Sequence, residues 1–154
     1  MSTFTKNLIL FLIINSAALG IGSFLMGEGP TGEFYQSINK APWTPPGWVF
    51  GAAWTTIMVC FSIYMALLVQ AGGGKKAITL FAIQFVLNVG WNPLFFAWHL
   101  TLPALVVIIA LTALVGYFLF HYRRILGIKS TFIAPYFIWL CIATSLNLYI
   151  LIHN

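Results

Sequence analysis

Acidic side chains are almost missing from this chain. Its 154 residues hold two, Glu28 and Glu33, against seven Lys and Arg, and charged residues make up only 6%. Soluble domains carry about 25% charged residues. A water-facing surface of ordinary polarity cannot be built from this composition, so lipid is the main solvent. The scarcity also excludes chemistry. No Asp, Glu, Lys or Arg occurs between Ala77 and Tyr122, and a proton-coupled pump usually needs a buried ionisable group. His99 falls in a turn, His121 near a helix end and His153 at the C-terminus, without metal-ligand spacing such as H-E-x-x-H. Cys60 and Cys141 lie in different apolar runs and read as small membrane-buried side chains, not as a disulfide or metal pair. The basic residues are scattered, which argues against a nucleic-acid patch. The expectation is therefore no catalytic residue, no metal, no required cofactor and no nucleic acid, with the lipid bilayer as first partner.

What is abundant is apolar length. Hydrophobic residues make up 61%, and a spanning helix needs about 20 of them in succession. Five segments qualify: Asn7–Met26, Gly47–Gln70, Lys76–Trp98, Pro103–Tyr122 and Thr131–Ile152. We read residues 1–154 as one all-α membrane domain, a bundle of five transmembrane helices. His99–Pro103 supplies one turn, with Thr101 as a cap and Pro103 in the first helical turn. Gly72–Gly74 and Arg123–Ser130 supply two others. The first segment has Lys6 and small residues around Ala18–Gly20, as a signal peptide would. Its apolar run continues to Met26, so we read it as a retained span. Lys6, Lys75, Lys76, Arg123, Arg124 and Lys129 fall on one side and Lys40 alone on the other. Positive residues favour the cytoplasm, which puts the N-terminus inside and the C-terminus outside in a cell membrane.

Aromatic and amide side chains are the informative minority. The connection Gly27–Thr44 holds both acids, and Thr31–Asn39 is expected to form a short helix with Phe34, Tyr35 and Ile38 on one face, a cap over the bundle mouth. Ala41–Trp54 concentrates Trp and Pro. Thr44 is a candidate N-cap with Pro45 and Pro46 in the first turn, and Phe50 and Trp54 share one face. Gln84, Asn88 and Asn92 form a stripe with Trp91 beside it. Amides facing lipid are costly, so the stripe faces other helices or a cavity; interhelical hydrogen bonding alone would also explain it. Tyr136, Trp139, Ala143, Leu146, Asn147 and Ile150 define one face of the fifth segment, and Ala143 leaves room for a neighbouring helix or for a ligand. Ala18/Gly22, Gly47/Gly51 and Thr112/Gly116 are small-residue pairs suited to close helix packing, within the chain or in a homodimer. Together these groups suit a pocket for a large, flat, mostly apolar ligand.

Several of these residues fall into ordered blocks. Gly27-Glu28-Gly29 follows the first span. Trp43-Thr-Pro-Pro-Gly-Trp48 with Trp54, Asn88–Phe96, Ala134–Trp139 and Ala143–Asn147 follow in order. On these blocks the chain resembles the TspO/MBR family of translocator proteins, tryptophan-rich sensory proteins and peripheral-type benzodiazepine receptors. The resemblance implies a five-helix, often dimeric membrane protein of a bacterial cell membrane. It implies a receptor, sensor or carrier that binds porphyrins, haem-like tetrapyrroles and, in some members, sterols. The implied pocket residues are Gly22, Phe50, Trp54, Asn88, Trp91, Trp139, Ala143 and Leu146, with Tyr35 and Trp43 at the mouth. Two alternatives come with it: light- and oxygen-dependent porphyrin degradation involving Trp54 and Trp139, and transport of tetrapyrroles or sterols. The chain departs from the pattern at Val107, where many members have an acid, and at Pro103, where vertebrate members have a tryptophan. It also departs after Leu146 and Tyr149, where the Lys or Arg of the sterol motif is missing.

Overall fold

The computed structural model describes residues 1–154 and is helical, with no strands. Four helical stretches are long and apolar enough to cross a membrane: Thr3–Thr31, Gly47–Gln70, Gly74–Ala97 and Thr101–His153. The last has 53 residues, about twice what one crossing needs. It breaks in the middle, where Gly127 takes φ 57°. The long helices are therefore five: α1 (Thr3–Leu25), α3 (Gly47–Gln70), α4 (Gly74–Asn92), α5 (Thr101–His121) and α7 (Ala134–His153). Two short helices join them, α2 (Glu33–Ser37) between α1 and α3, and α6 (Arg123–Leu126) between α5 and α7.

Several boundaries differ from the sequence expectation, each for a local reason. Helix α1 starts early because the Ser2 hydroxyl caps it, accepting from the Thr5 N–H at 3.1 Å. Thr44 does not cap α3. Its hydroxyl donates to the Ala41 carbonyl at 2.7 Å and its N–H closes a turn onto the same oxygen at 2.9 Å. Pro46 is extended at the N-cap, so Pro45 and Pro46 precede the helix. Thr101 does not cap α5 either: Leu100 holds that position and no side chain caps it. The third crossing runs past Pro93, in keeping with the expected segment to Trp98. The proline lacks an N–H, and the chain widens there into a π-helical turn over Pro93–Ala97, closed by the Trp98 N–H on the Pro93 carbonyl at 2.9 Å.

The long helices close a ring in the order α1, α3, α7, α5, α4 and back to α1. Small residues explain two of the contacts. A Cβ on Gly22 of α1 would sit 2.8 Å from the Asn92 amide nitrogen, and one on Gly116 of α5 would sit 3.0 Å from the Phe137 ring. Gly47 and Gly51 behave differently: a Cβ on either would meet nothing within 4 Å. They make no close helix contact, because they face open space.

The ring is solid at one end. Phe61 is fully buried, and its ring lies 5.3 Å from Tyr136, 5.7 Å from Phe81, 6.1 Å from Phe118 and 6.3 Å from Tyr64. Tyr64 donates to the Phe118 carbonyl at 2.8 Å, tying α3 to α5. Asn15 donates to the Ser62 hydroxyl at 2.8 Å, tying α1 to α3. Towards the Gly27–Thr44 connection the centre is hollow.

Candidate functional site

The hollow end is a cavity of about 610 Å³. Its walls come from α1 (Ala18, Leu19, Ser23), α3 (Phe50, Gly51, Trp54) and the α4 end (Asn88, Trp91, Asn92). Residues of the connection close a further side, notably Tyr35, Gln36 and Lys40.

The connection is held in place by specific contacts. Its start turns at Gly27 and Gly29, with φ 62° and 55°, a region open to glycine at little cost. The Gln36 amide donates to the Pro30 carbonyl at 2.7 Å. Phe34 stacks on His99 with centroids 4.0 Å apart, and Tyr35 tilts against Phe96 at 5.5 Å. The Asn39 N–H donates to Asn154 Oδ1 at 2.8 Å, which ties the connection to the end of α7. The face formed by Phe34, Tyr35 and Ile38 packs against Phe95, Ala104 and Ile150.

Each polar group at the cavity has a distinct state. Asn88 is fixed: Gln84 donates to the Tyr136 hydroxyl at 2.7 Å, and that hydroxyl donates to Asn88 Oδ1 at 3.2 Å. The amide stripe is thus partly structural glue between α4 and α7. Removing the hydroxyl in Tyr136→Phe leaves buried amides without partners, which costs about 1–3 kcal/mol. Thermal unfolding in detergent should show that loss as a lower melting temperature. Trp91 lies parallel to Phe95 at 5.6 Å, and its buried indole N–H has no partner. Lys40 Nζ sits 4.9 Å above the Tyr35 ring, its only other contact being a long one, 3.5 Å, to the Gln36 carbonyl. Burial raises the Tyr35 hydroxyl above the ordinary phenol value, so it stays protonated near neutral pH and can donate.

The structure brings Tyr35, Phe50, Trp54, Asn88 and Trp91 to one cavity. It places the other residues named from the sequence elsewhere. Gly22 is buried against Asn92, where it lets α1 approach α4. Trp43 is half exposed outside; its indole donates to the Ser145 hydroxyl at 3.1 Å and its ring meets Tyr149 edge-on at 5.5 Å. Trp139, Ala143 and Leu146 are buried in α7 and do not border the cavity. Trp139 instead backs Phe50, edge to face at 5.4 Å, as Tyr136 backs Trp54 at 6.0 Å. Helix α7 thus supplies aromatic rings that support the α3 wall, while its Tyr136 reaches α4 through the bond to Asn88. Residues that sequence reasoning missed include Lys40, Gln36 and Ser23. For Lys40 a signal existed: it is the one basic residue in the otherwise non-basic half of the loops.

The sequence model of the TspO/MBR family matches residues 9–153. The tryptophan-rich protein TspO of Chlorobaculum tepidum is 30% identical over 138 residues, 87% of each chain. The tryptophan-rich sensory protein of Cereibacter sphaeroides is 31% identical over 115 residues, 75% of this chain and 73% of its own. The translocator protein of Homo sapiens is 29% identical over 143 residues, 89% of this chain and 83% of its own.

Proposed function

The chain belongs to the TspO/MBR family of multi-pass integral membrane proteins, and from that premise we propose that it is a receptor or carrier for porphyrins and related tetrapyrroles. The observation that carries this reading is the pairing of an aromatic cavity with a single cation. Phe50, Trp54 and Trp91 offer flat apolar surface, and Lys40 is the one charged side chain among the lining residues. A porphyrin has the same division, an apolar macrocycle and a carboxylate edge. Stacking on the indoles would hold the ring, and Lys40 would set its direction. The Tyr35 hydroxyl is a donor suited to an acceptor group on such a ligand.

In the same reading the connection is a cap, with α2 folded over the cavity, and the six basic residues of the solid end face the cytoplasm. The ligand enters from the opposite side, beneath Tyr35. The whole of residues 1–154 acts as one domain, because the cap is tied to α7 and the wall to α3.

Titration with protoporphyrin IX tests this. Intrinsic tryptophan emission of the purified protein should be quenched saturably. Absence of saturation would remove the proposal. Lys40→Gln should weaken binding roughly fivefold, the worth of one partly exposed charge pair near 1 kcal/mol. Protoporphyrin dimethyl ester, which lacks the carboxylates, should bind wild type and Lys40→Gln alike.

A further inference from the structure

A second concavity lies on the outer surface of the bundle, between α5 and α7, at the solid end. It is a groove of about 760 Å³. Gly116 and Thr112 make it possible: Gly116 packs under Phe137, and the Thr112 and Thr144 hydroxyls bond across the helices at 3.1 Å, which satisfies both on the groove floor. Ile109, Ala113 and Phe120 form apolar sides.

One end of this groove carries basic side chains. His121 and Arg124 line it, with the Tyr117 ring stacked on His121 at 4.6 Å. Lys76, reaching over from α4, donates to the Tyr117 hydroxyl at 2.6 Å. No carboxylate is near. The two acids of the chain, Glu28 and Glu33, lie in the connection at the opposite end of the bundle. The groove therefore joins an apolar track to the Arg124 cation, with Lys76 held at its edge by Tyr117, and the protein supplies neither with a carboxylate.

We propose that this groove is a seat for an anionic phospholipid, with one acyl chain along Ile109, Ala113 and Phe120 and the phosphate between Arg124 and Lys76. The charge pattern selects this occupant over a second copy of the chain. In a membrane a twofold pair has its axis along the bilayer normal, so the same ends of both copies come together. The two cationic ends would then face each other with no acid between them. A phosphodiester headgroup supplies the missing charge, and its depth matches the helix ends where basic residues meet lipid headgroups. This inference does not rest on the tetrapyrrole reading, since the groove and the cavity share no lining residue.

Native mass spectrometry of the full chain in detergent tests it, with equal amounts of dioleoylphosphatidylglycerol and dioleoylphosphatidylcholine added. Each cation near an anionic lipid contributes roughly fivefold in affinity. Wild type should thus retain phosphatidylglycerol over phosphatidylcholine by about 25-fold, and Lys76→Ala/Arg124→Ala should bring that ratio close to one. Lys75→Ala/Lys129→Ala removes the same charge from the same end without touching the groove and should keep the preference. Ala113→Trp, which fills the apolar track, should lower retention of the lipid. Equal loss in both double variants would reduce the effect to general surface charge and overturn the proposal. So would a wild type without lipid preference, or one whose dimer dissociates in Ala113→Trp.

Discussion

Gly51→Phe lowers protoporphyrin IX affinity at least about 100-fold, roughly 2.7 kcal/mol, and leaves the protein folded. Gly51 borders the cavity between Phe50 and Trp54 in sequence, and a Cβ there meets nothing within 4 Å. The first side-chain atom at this position displaces no protein neighbour, and the ring beyond it points its bulk at the cavity that Gly51 lines. The ring occupies the volume that the macrocycle needs. Glycine inside a helix also costs about 0.5–1 kcal/mol relative to alanine, so the substitution removes a small helix penalty. The expected pair of readings is an unchanged or slightly raised melting temperature and loss of saturable tryptophan quenching. Most cavity variants confound binding with packing; this one separates them. Normal affinity in a folded Gly51→Phe protein would show that the ligand does not use this cavity.

Phe61→Ala has the opposite profile and the largest expected effect on stability. Its ring is completely buried and is surrounded by Tyr64, Phe81, Phe118 and Tyr136, which come from α3, α4, α5 and α7. Truncation of such a residue costs about 3–5 kcal/mol in soluble cores. In lipid the transfer contribution is smaller, but packing contacts are what hold membrane helices together, so a loss of about 3 kcal/mol is expected. Thermal unfolding in detergent should show a large fall in melting temperature. Phe61→Leu should recover most of it, because a branched side chain refills part of the void. Tetrapyrrole binding measured below the new transition should be near wild type, since Phe61 does not line the cavity.

The helices were legible because lipid imposes a length and a composition that few other structures share. The five segments were found from apolar runs and the basic residues between them, and the break near Gly127 divides the last 53 residues as expected. Helix ends were less legible. Thr44 and Thr101 have the chemistry of caps, but each competes with backbone turns that a linear pattern does not reveal. The run through Pro93 to Trp98 is legible as apolar length, but the π-helical turn that carries the chain past the proline is not.

At the site, periodicity found the inward faces but not what each face meets. Phe50 and Trp54 reach open space, as their spacing allowed. Trp139, Ala143 and Leu146 share a face in the same way, yet they are buried against neighbouring helices and do not line the cavity, which Trp139 supports through Phe50. That distinction depends on the order of helices around the ring, which single-helix patterns do not encode. In the sequence Lys40 stands out only as a topological exception. Its place at the cavity is set by a connection pinned through Phe34, Asn39 and Trp43. The degradation alternative is affected too. Trp54 borders the cavity and Trp139 is separated from it by Phe50, so direct contact of a bound macrocycle would involve Trp54 and Trp91.

A density map of the protein with protoporphyrin IX bound tests the central claim most directly. The account predicts the macrocycle beneath Tyr35 against Phe50, Trp54 and Trp91, with a carboxylate within hydrogen-bond distance of Lys40 Nζ. A macrocycle instead lodged on the outer face beside Trp139 and Ile142, with the α1–α3–α4 cavity empty, would contradict it.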